Sequence, residues 1–88
     1  MIGPGVALLL LGLAATELTG TVESVDHQRH QVVLRTEGAQ VALRFDRNTL
    51  VYRPGGATTP LALAPGQVVR AGHDGHGLAY WLQLRPAP

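Results

Sequence analysis

The stretch Gly20–Thr36, GTVESVDHQRHQVVLRT, constrains this chain more than any other. Thr21, Val22 and Val25 lead into a polar run, Asp26–His30, and Val32, Val33 and Leu34 lead out of it. Branching at Cβ is stiff in a helix but packs well on a pleated surface. Two strands joined by a tight turn are therefore expected, with the later segments added to this hairpin.

The size of the chain limits what can be built on that hairpin. Its 88 residues allow one domain. Without the apolar N-terminus roughly 70 residues are left, near the lower limit for a self-sufficient core. There is no cysteine, so no disulfide, thiolate metal site or lipid-acylated cysteine supplements the packing. Seven basic and six acidic residues nearly cancel, which leaves no electrostatic footprint for nucleic acid or acidic lipid. All seven basic residues are Arg. Bidentate anion recognition would use such guanidinium forks, and a GC-rich coding sequence would produce the same bias.

The chain opens with MIGPGVALLLLGLAA, uncharged and apolar from Val6 to Ala15. An apolar run of this length ending in small residues resembles the central region of a secretory signal, though the positively charged leader is missing. As a membrane anchor, Ile2–Ala15 would span only about 21 Å as a helix, short of a ~30 Å hydrocarbon core. A segment packed on the domain or on a partner is the third reading. Glu17–Asp26 is the first expected strand, with Gly20 as the site of a bulge because Leu18, Val22 and Val25 break strict alternation. Gln31–Thr36 is the second, Glu37-Gly38-Ala39 a turn with Gly38 at positive φ, and Gln40–Asp46 the third. Asn48–Tyr52 reads as a short extended piece stopped by the turn Arg53-Pro54-Gly55-Gly56. Thr59–Leu63 suits one helical turn, with Thr59 as N-cap and Pro60 at its first position. Gln67–Ala71 is the fourth strand, His73–Gly77 a flexible turn, and Leu78–Arg85 the fifth. Alternation there places Leu78, Tyr80, Leu82 and Leu84 on one face, and Ala79, Trp81 and Gln83 on the other.

The fold class expected is thus all-β: a small five-stranded antiparallel Greek-key barrel of the OB type, with one helical turn between strands three and four. Closure removes edges that would otherwise invite pairing with other chains. The organisation expected is an apolar signal-like or anchor segment over 1–16, the barrel over 17–85 and a tail over 86–88.

The pattern Gly20-Thr21-Val22-x-x-Val25-Asp26, then Val32-Val33-Leu34, Thr49-Leu50-Val51 and Leu61-x-Leu63-x-Pro65-Gly66-Gln67-Val68-Val69, resembles the secreted bacterial barrel domain of unknown function DUF5666. The resemblance covers most of Leu18–Leu84 and implies a barrel and export, but no reaction. The outline is also similar to the CusF-type periplasmic metallochaperones, which bind Cu(I) through two Met, one His and one Trp on strands two and three. Here Met1 is the sole methionine, and no His or Trp falls within Gln31–Asp46. Their copper site is not carried over.

Two constellations stand out as candidate sites. His27 and His30 lie in the turn between strands one and two, and His73 and His76 in that between strands four and five. An OB barrel brings these loops to one end, so four imidazoles could converge, with Asp26 and Asp74 beside them. No cofactor is required by any motif; such a cluster would suit Zn²⁺ or Cu(II). Equally, His is an ordinary neighbour of Asp and Gly in polar turns. The second constellation is Trp81 with Arg44, Arg70 and Arg85, a stacking surface for a base, sugar or protein partner; alternatively Trp81 covers an open end of the barrel.

Tyr, Ser and Thr have no neighbouring base at motif spacing, and Gly55-Gly56 lacks the Lys and helix of a phosphate loop. The chain is accordingly read as a non-catalytic exported or membrane-tethered barrel, periplasmic or extracellular. It would be an accessory or self-assembling subunit with a protein partner or a second copy, and membrane contact through Val6–Ala15. Nucleic acid is disfavoured by the balanced charge.

Overall fold

The computed structural model describes residues 16–86; the signal-like run Val6–Ala15 and the last two tail residues lie outside the described residues. The described chain is all-β. Its strands are β1 (Thr16–Asp26), β2 (Gln31–Thr36), β3 (Ala39–Arg44), β4 (Leu50–Arg53), β5 (Gly56–Thr58), β6 (Val68–His73) and β7 (Ala79–Leu84), with a 3₁₀ turn, Pro60–Ala62, between β5 and β6. They form one sheet in the order β3-β2-β1-β6-β7-β4-β5.

β1 is the hub. Its second half, Thr21–Asp26, pairs antiparallel with β2, and its first half, Thr16–Thr21, pairs antiparallel with β6. The handover falls next to Gly20, where an added Cβ would lie 2.8 Å from the carbonyl oxygen of Arg35. Gly20 therefore allows a close backbone approach, while the bulge expected there sits at Glu23. Register slips between Val22 and Ser24, and the extra residue flips the parity of the rest of the strand. This accounts for the uneven spacing of Leu18, Val22 and Val25: Val22 is buried, and the other two pack at the edge of the core.

β2 and β3 form a regular hairpin whose turn residues Glu37 and Gly38 have φ of 48° and 82°, the two positive values that a type I′ turn demands. The core is closed by Val22, Val32, Leu34, Leu43, Phe45, Val51, Leu63, Val69, Ala71, Ala79, Leu82 and Leu84. Burying each larger aliphatic side chain contributes about 1.5–3 kcal/mol.

Three expectations are corrected. The sheet has seven strands, is mixed and is not closed: β4 runs parallel to β7, and the terminal strands β3 and β5 do not pair with each other. The extra strands come from Leu50–Thr58, where Pro54 and Gly55, at φ 101°, fold the short extended piece back on itself as a second hairpin. Near the missing closure, one isolated parallel bridge joins Arg44 to Leu78. The third correction concerns β7. Gly72 pairs with Trp81 but His73 with Ala79, so Tyr80 is an inserted residue. Ala79, Leu82 and Leu84 face inward, and Tyr80 is turned out, 47% exposed. Perfect alternation in the sequence hid this bulge, because Tyr80 is apolar enough to pass as a core position.

Candidate functional site

The described surface holds an open apolar groove of about 750 Å³, walled by β4, β5, the 3₁₀ turn, the corner Phe45–Thr49 and the β1–β2 turn. Local chemistry fixes each wall. Alternation along β4 sends Val51 inward and Leu50 and Tyr52 outward, with Leu50 56% exposed. Thr59 caps the 3₁₀ turn by accepting from the Leu61 N–H at 3.3 Å, which leaves Leu61 78% exposed on the opposite rim. The corner is held by Thr49, a buried polar side chain. Its Oγ1 donates to the Ala79 carbonyl at 2.8 Å and accepts from the Asp46 N–H at 2.9 Å. Asp46 Oδ1 in turn accepts from the Asn48 N–H at 2.8 Å.

Phe45, buried under the corner, carries the histidines of the first turn. The His27 and His30 rings lie 6.5 and 5.7 Å from the Phe45 ring, so both line one end of the groove. His30 itself sits at φ 56°, and its carbonyl accepts from the Phe45 N–H at 2.9 Å. The second histidine loop reaches the same place by its backbone, since the Arg44 N–H donates to the Gly77 carbonyl at 2.6 Å. The two loops thus flank Arg44–Phe45 from opposite edges of β3. Their imidazoles are employed separately. His73 Nδ1 accepts from the Gly75 N–H at 3.1 Å, and Asp74 Oδ1 accepts from the N–H groups of His76 and Leu78. Those two bonds, that to Leu78 foremost, hold the Asp74 carboxyl below its ordinary value. Among the described residues no group of three or more His, Cys, Asp or Glu is placed to hold a metal ion.

Trp81 occupies the outer face, as alternation indicated, and lies across Gly72. A Cβ at Gly72 would overlap the indole, 2.2 Å from Nε1. The Arg70 guanidinium lies 5.5 Å from the ring centroid and is held by Glu17, with Nη2 donating to Oε1 at 2.7 Å. Of the three arginines grouped with Trp81 in the sequence, Arg70 lies over it. Arg44 stands at the end of β3, and Arg85 follows β7, its N–H donating to the Val68 carbonyl at 2.8 Å. Cross-strand pairing sets Leu50 beside Trp81 and Tyr52 beside Gln83, so the Trp81 face runs into the groove.

The groove was not anticipated from the sequence. Its one legible signal was Leu-Val-Tyr followed by Arg-Pro-Gly-Gly, three consecutive apolar residues before a turn, so that a strand there has apolar side chains on both faces. Compared with protein-family models, curated proteins and solved structures, the chain matches none of them.

Proposed function

We propose that this chain is a non-catalytic interaction domain, exported or membrane-tethered, that docks a protein partner in the groove between β4, β5 and the 3₁₀ turn. The observation that carries the reading is the exposure of Leu50 and Tyr52 on β4 and of Leu61 on the 3₁₀ turn, all three lining one groove. Clustered exposed apolar groups rimmed by polar ones mark interaction sites. Each such side chain buried by a partner contributes about 1.5–3 kcal/mol before the costs of association.

The architecture behind this reading is the open seven-stranded sheet, which we read as an incomplete OB-type ring with an interrupted third strand, the outline that the DUF5666 resemblance implies. β3 and β4 are consecutive; β4 runs parallel to β7 through Leu50–Trp81, and a single parallel bridge joins Arg44, the last residue of β3, to Leu78 just before β7. Taken as two halves of one strand, they would flank β7-β6-β1-β2 as the two sides of that incomplete ring, with Phe45–Thr49 as its corner. The β4–β5 hairpin then projects from the ring and supplies the groove wall. The apolar run Val6–Ala15 supports the placement at or beyond a membrane.

A photo-crosslinking amino acid placed at Leu61, and at Glu37 on the distant β2–β3 turn as control, tests the proposal in the native cell. One defined protein should be captured from position 61 alone, and Leu50→Asp should abolish its capture. Equal capture from both positions, or capture indifferent to Leu50→Asp, refutes it.

A further inference from the structure

The charges around the groove indicate what kind of partner segment it accepts. The ion pairs among the described residues join Asp26 to Arg29, Glu23 to Arg35 and Glu17 to Arg70. Asp46 and Asp74 hold backbone N–H groups, and Glu37 occupies the β2–β3 turn. Arg47, exposed on the groove wall, belongs to none of those pairs. Its neighbour Asp46 lines the same wall, but its Oδ1 is bound to the Asn48 N–H and lies 3.4 Å from Thr49 Oγ1. The His27 and His30 rings, both able to donate, stand at that end too. The opposite stretch, Leu50, Tyr52 and Leu61, is apolar. That end of the groove therefore offers a guanidinium fork outside the ion pairs, beside the Asp46 carboxylate, and the length of the groove is apolar.

Its shape separates a peptide from a small molecule. Small-molecule sites enclose about 70–90% of their ligand, whereas Leu50 and Leu61 are 56% and 78% exposed along this trough. The trough also borders β5, a terminal strand whose outer edge has no partner strand among the described residues. Such an edge offers main-chain hydrogen bonds to an added extended segment.

We infer that the groove receives an extended apolar segment of a partner protein that presents a carboxylate, from an acidic side chain or a C-terminus, to Arg47. The inference rests on the protein-docking reading and adds the chemistry of the segment. The carboxylate forms a charge-assisted, fork-shaped pair with the guanidinium, and the apolar side chains cover Leu50, Tyr52 and Leu61. A bond to a charged group of this kind corresponds to about a tenfold or larger change in affinity.

The full chain is screened against displayed octapeptides with free C-termini, and affinities of the selected peptides are measured by fluorescence polarisation. Apolar peptides bearing a carboxylate should be selected, and amidating or neutralising that group should weaken binding about tenfold or more. Arg47→Gln should cause the same loss for the acidic peptide and none for its neutral counterpart; Trp81 emission verifies that the variant is folded. Selected peptides indifferent to Arg47→Gln would overturn the carboxylate pairing while leaving the docking groove intact. Binding of laurate or an anionic vesicle with no peptide selected would overturn it in favour of a lipid. Failure of both the peptides and the Leu61 crosslinks would remove the docking reading itself.

Discussion

Replacing Gly72 by Ala is the most direct probe of the outer face. The added methyl would lie 2.2 Å from Nε1, 2.4 Å from Cε2 and 2.9 Å from Cδ1 of Trp81. Carbon contacts are favourable near 3.5–4.0 Å, so the indole must retreat by more than about 1 Å. In doing so it leaves β6 and its place under Arg70. Overpacking of this kind costs about 1–3 kcal/mol. Replacing a glycine in a strand returns about 0.5–1 kcal/mol, which leaves a net loss of about 0–2.5 kcal/mol. For a domain of this size each kcal/mol lowers Tm by about 4–8 °C. Trp81 is the sole tryptophan, so its emission reports the displacement without a label. A red shift and a lower Tm are expected together. In a Trp81→Ala background the same substitution should be neutral or slightly stabilising. A Gly72→Ala protein with unchanged emission and a raised Tm would show that the indole does not lie on β6, and the reasoning would fail.

Further perturbations test other parts of the frame. Leu82→Ala should cost about 2–5 kcal/mol while Tyr80→Ala stays within about 0.5 kcal/mol; equal losses in urea melts would deny the β7 bulge. Thr49→Val keeps the side chain's shape but strands the Ala79 carbonyl and the Asp46 N–H. A loss of about 1–3 kcal/mol is expected, largely recovered in Thr49→Ser, and a chemical melt with no change would rule out the corner network. Gly20→Ala meets the backbone of Arg35, which cannot move aside as a side chain can, so its Tm should fall; a rise would exclude the close approach. Asp74 is held below its ordinary value of 3.8. Its bonds thus contribute stability above that pH, lost as pH falls through the folded value. The protection of the Leu78 amide, its exchange relative to the intrinsic rate at each pH, should fall there, and Asp74→Asn should flatten the response; protection in the native protein that ignores acid would count against it.

The all-β class, the Gly20–Thr36 hairpin and the capped turn at Thr59–Pro60 were legible locally. In each case one or two residues decide the conformation: β-branching on the strands, Asp26 accepting from the Gln28 and Arg29 N–H groups in the turn, and a Thr hydroxyl before a Pro. A bulge in β1 was legible from the slip, but its place at Glu23 was not, and the bulge at Tyr80 left no trace, because a bulge is defined by register against a neighbouring strand. Leu50–Thr58 shows the same limit. A three-residue strand such as Gly56–Thr58 has almost no propensity of its own and exists by pairing with β4.

The candidate site divides along the same line. Composition and order alone determined that the chain has no cysteine, a balanced charge, histidines in two close pairs and a single Trp on the outward parity of its last strand; the structure puts His73 at the end of β6 and not in the turn expected for it. Only the tertiary structure decided which of these meet. Phe45 gathers His27 and His30, while His73 and Asp74 turn to their own loop, because a backbone N–H a few residues away is a nearer partner than a side chain across the sheet. The groove itself has no contiguous motif. Its walls come from five segments between His27 and Leu61, brought together when β4 aligns parallel to β7. That pairing joins residues some thirty positions apart in the chain, and the sequence carries no local signal for it.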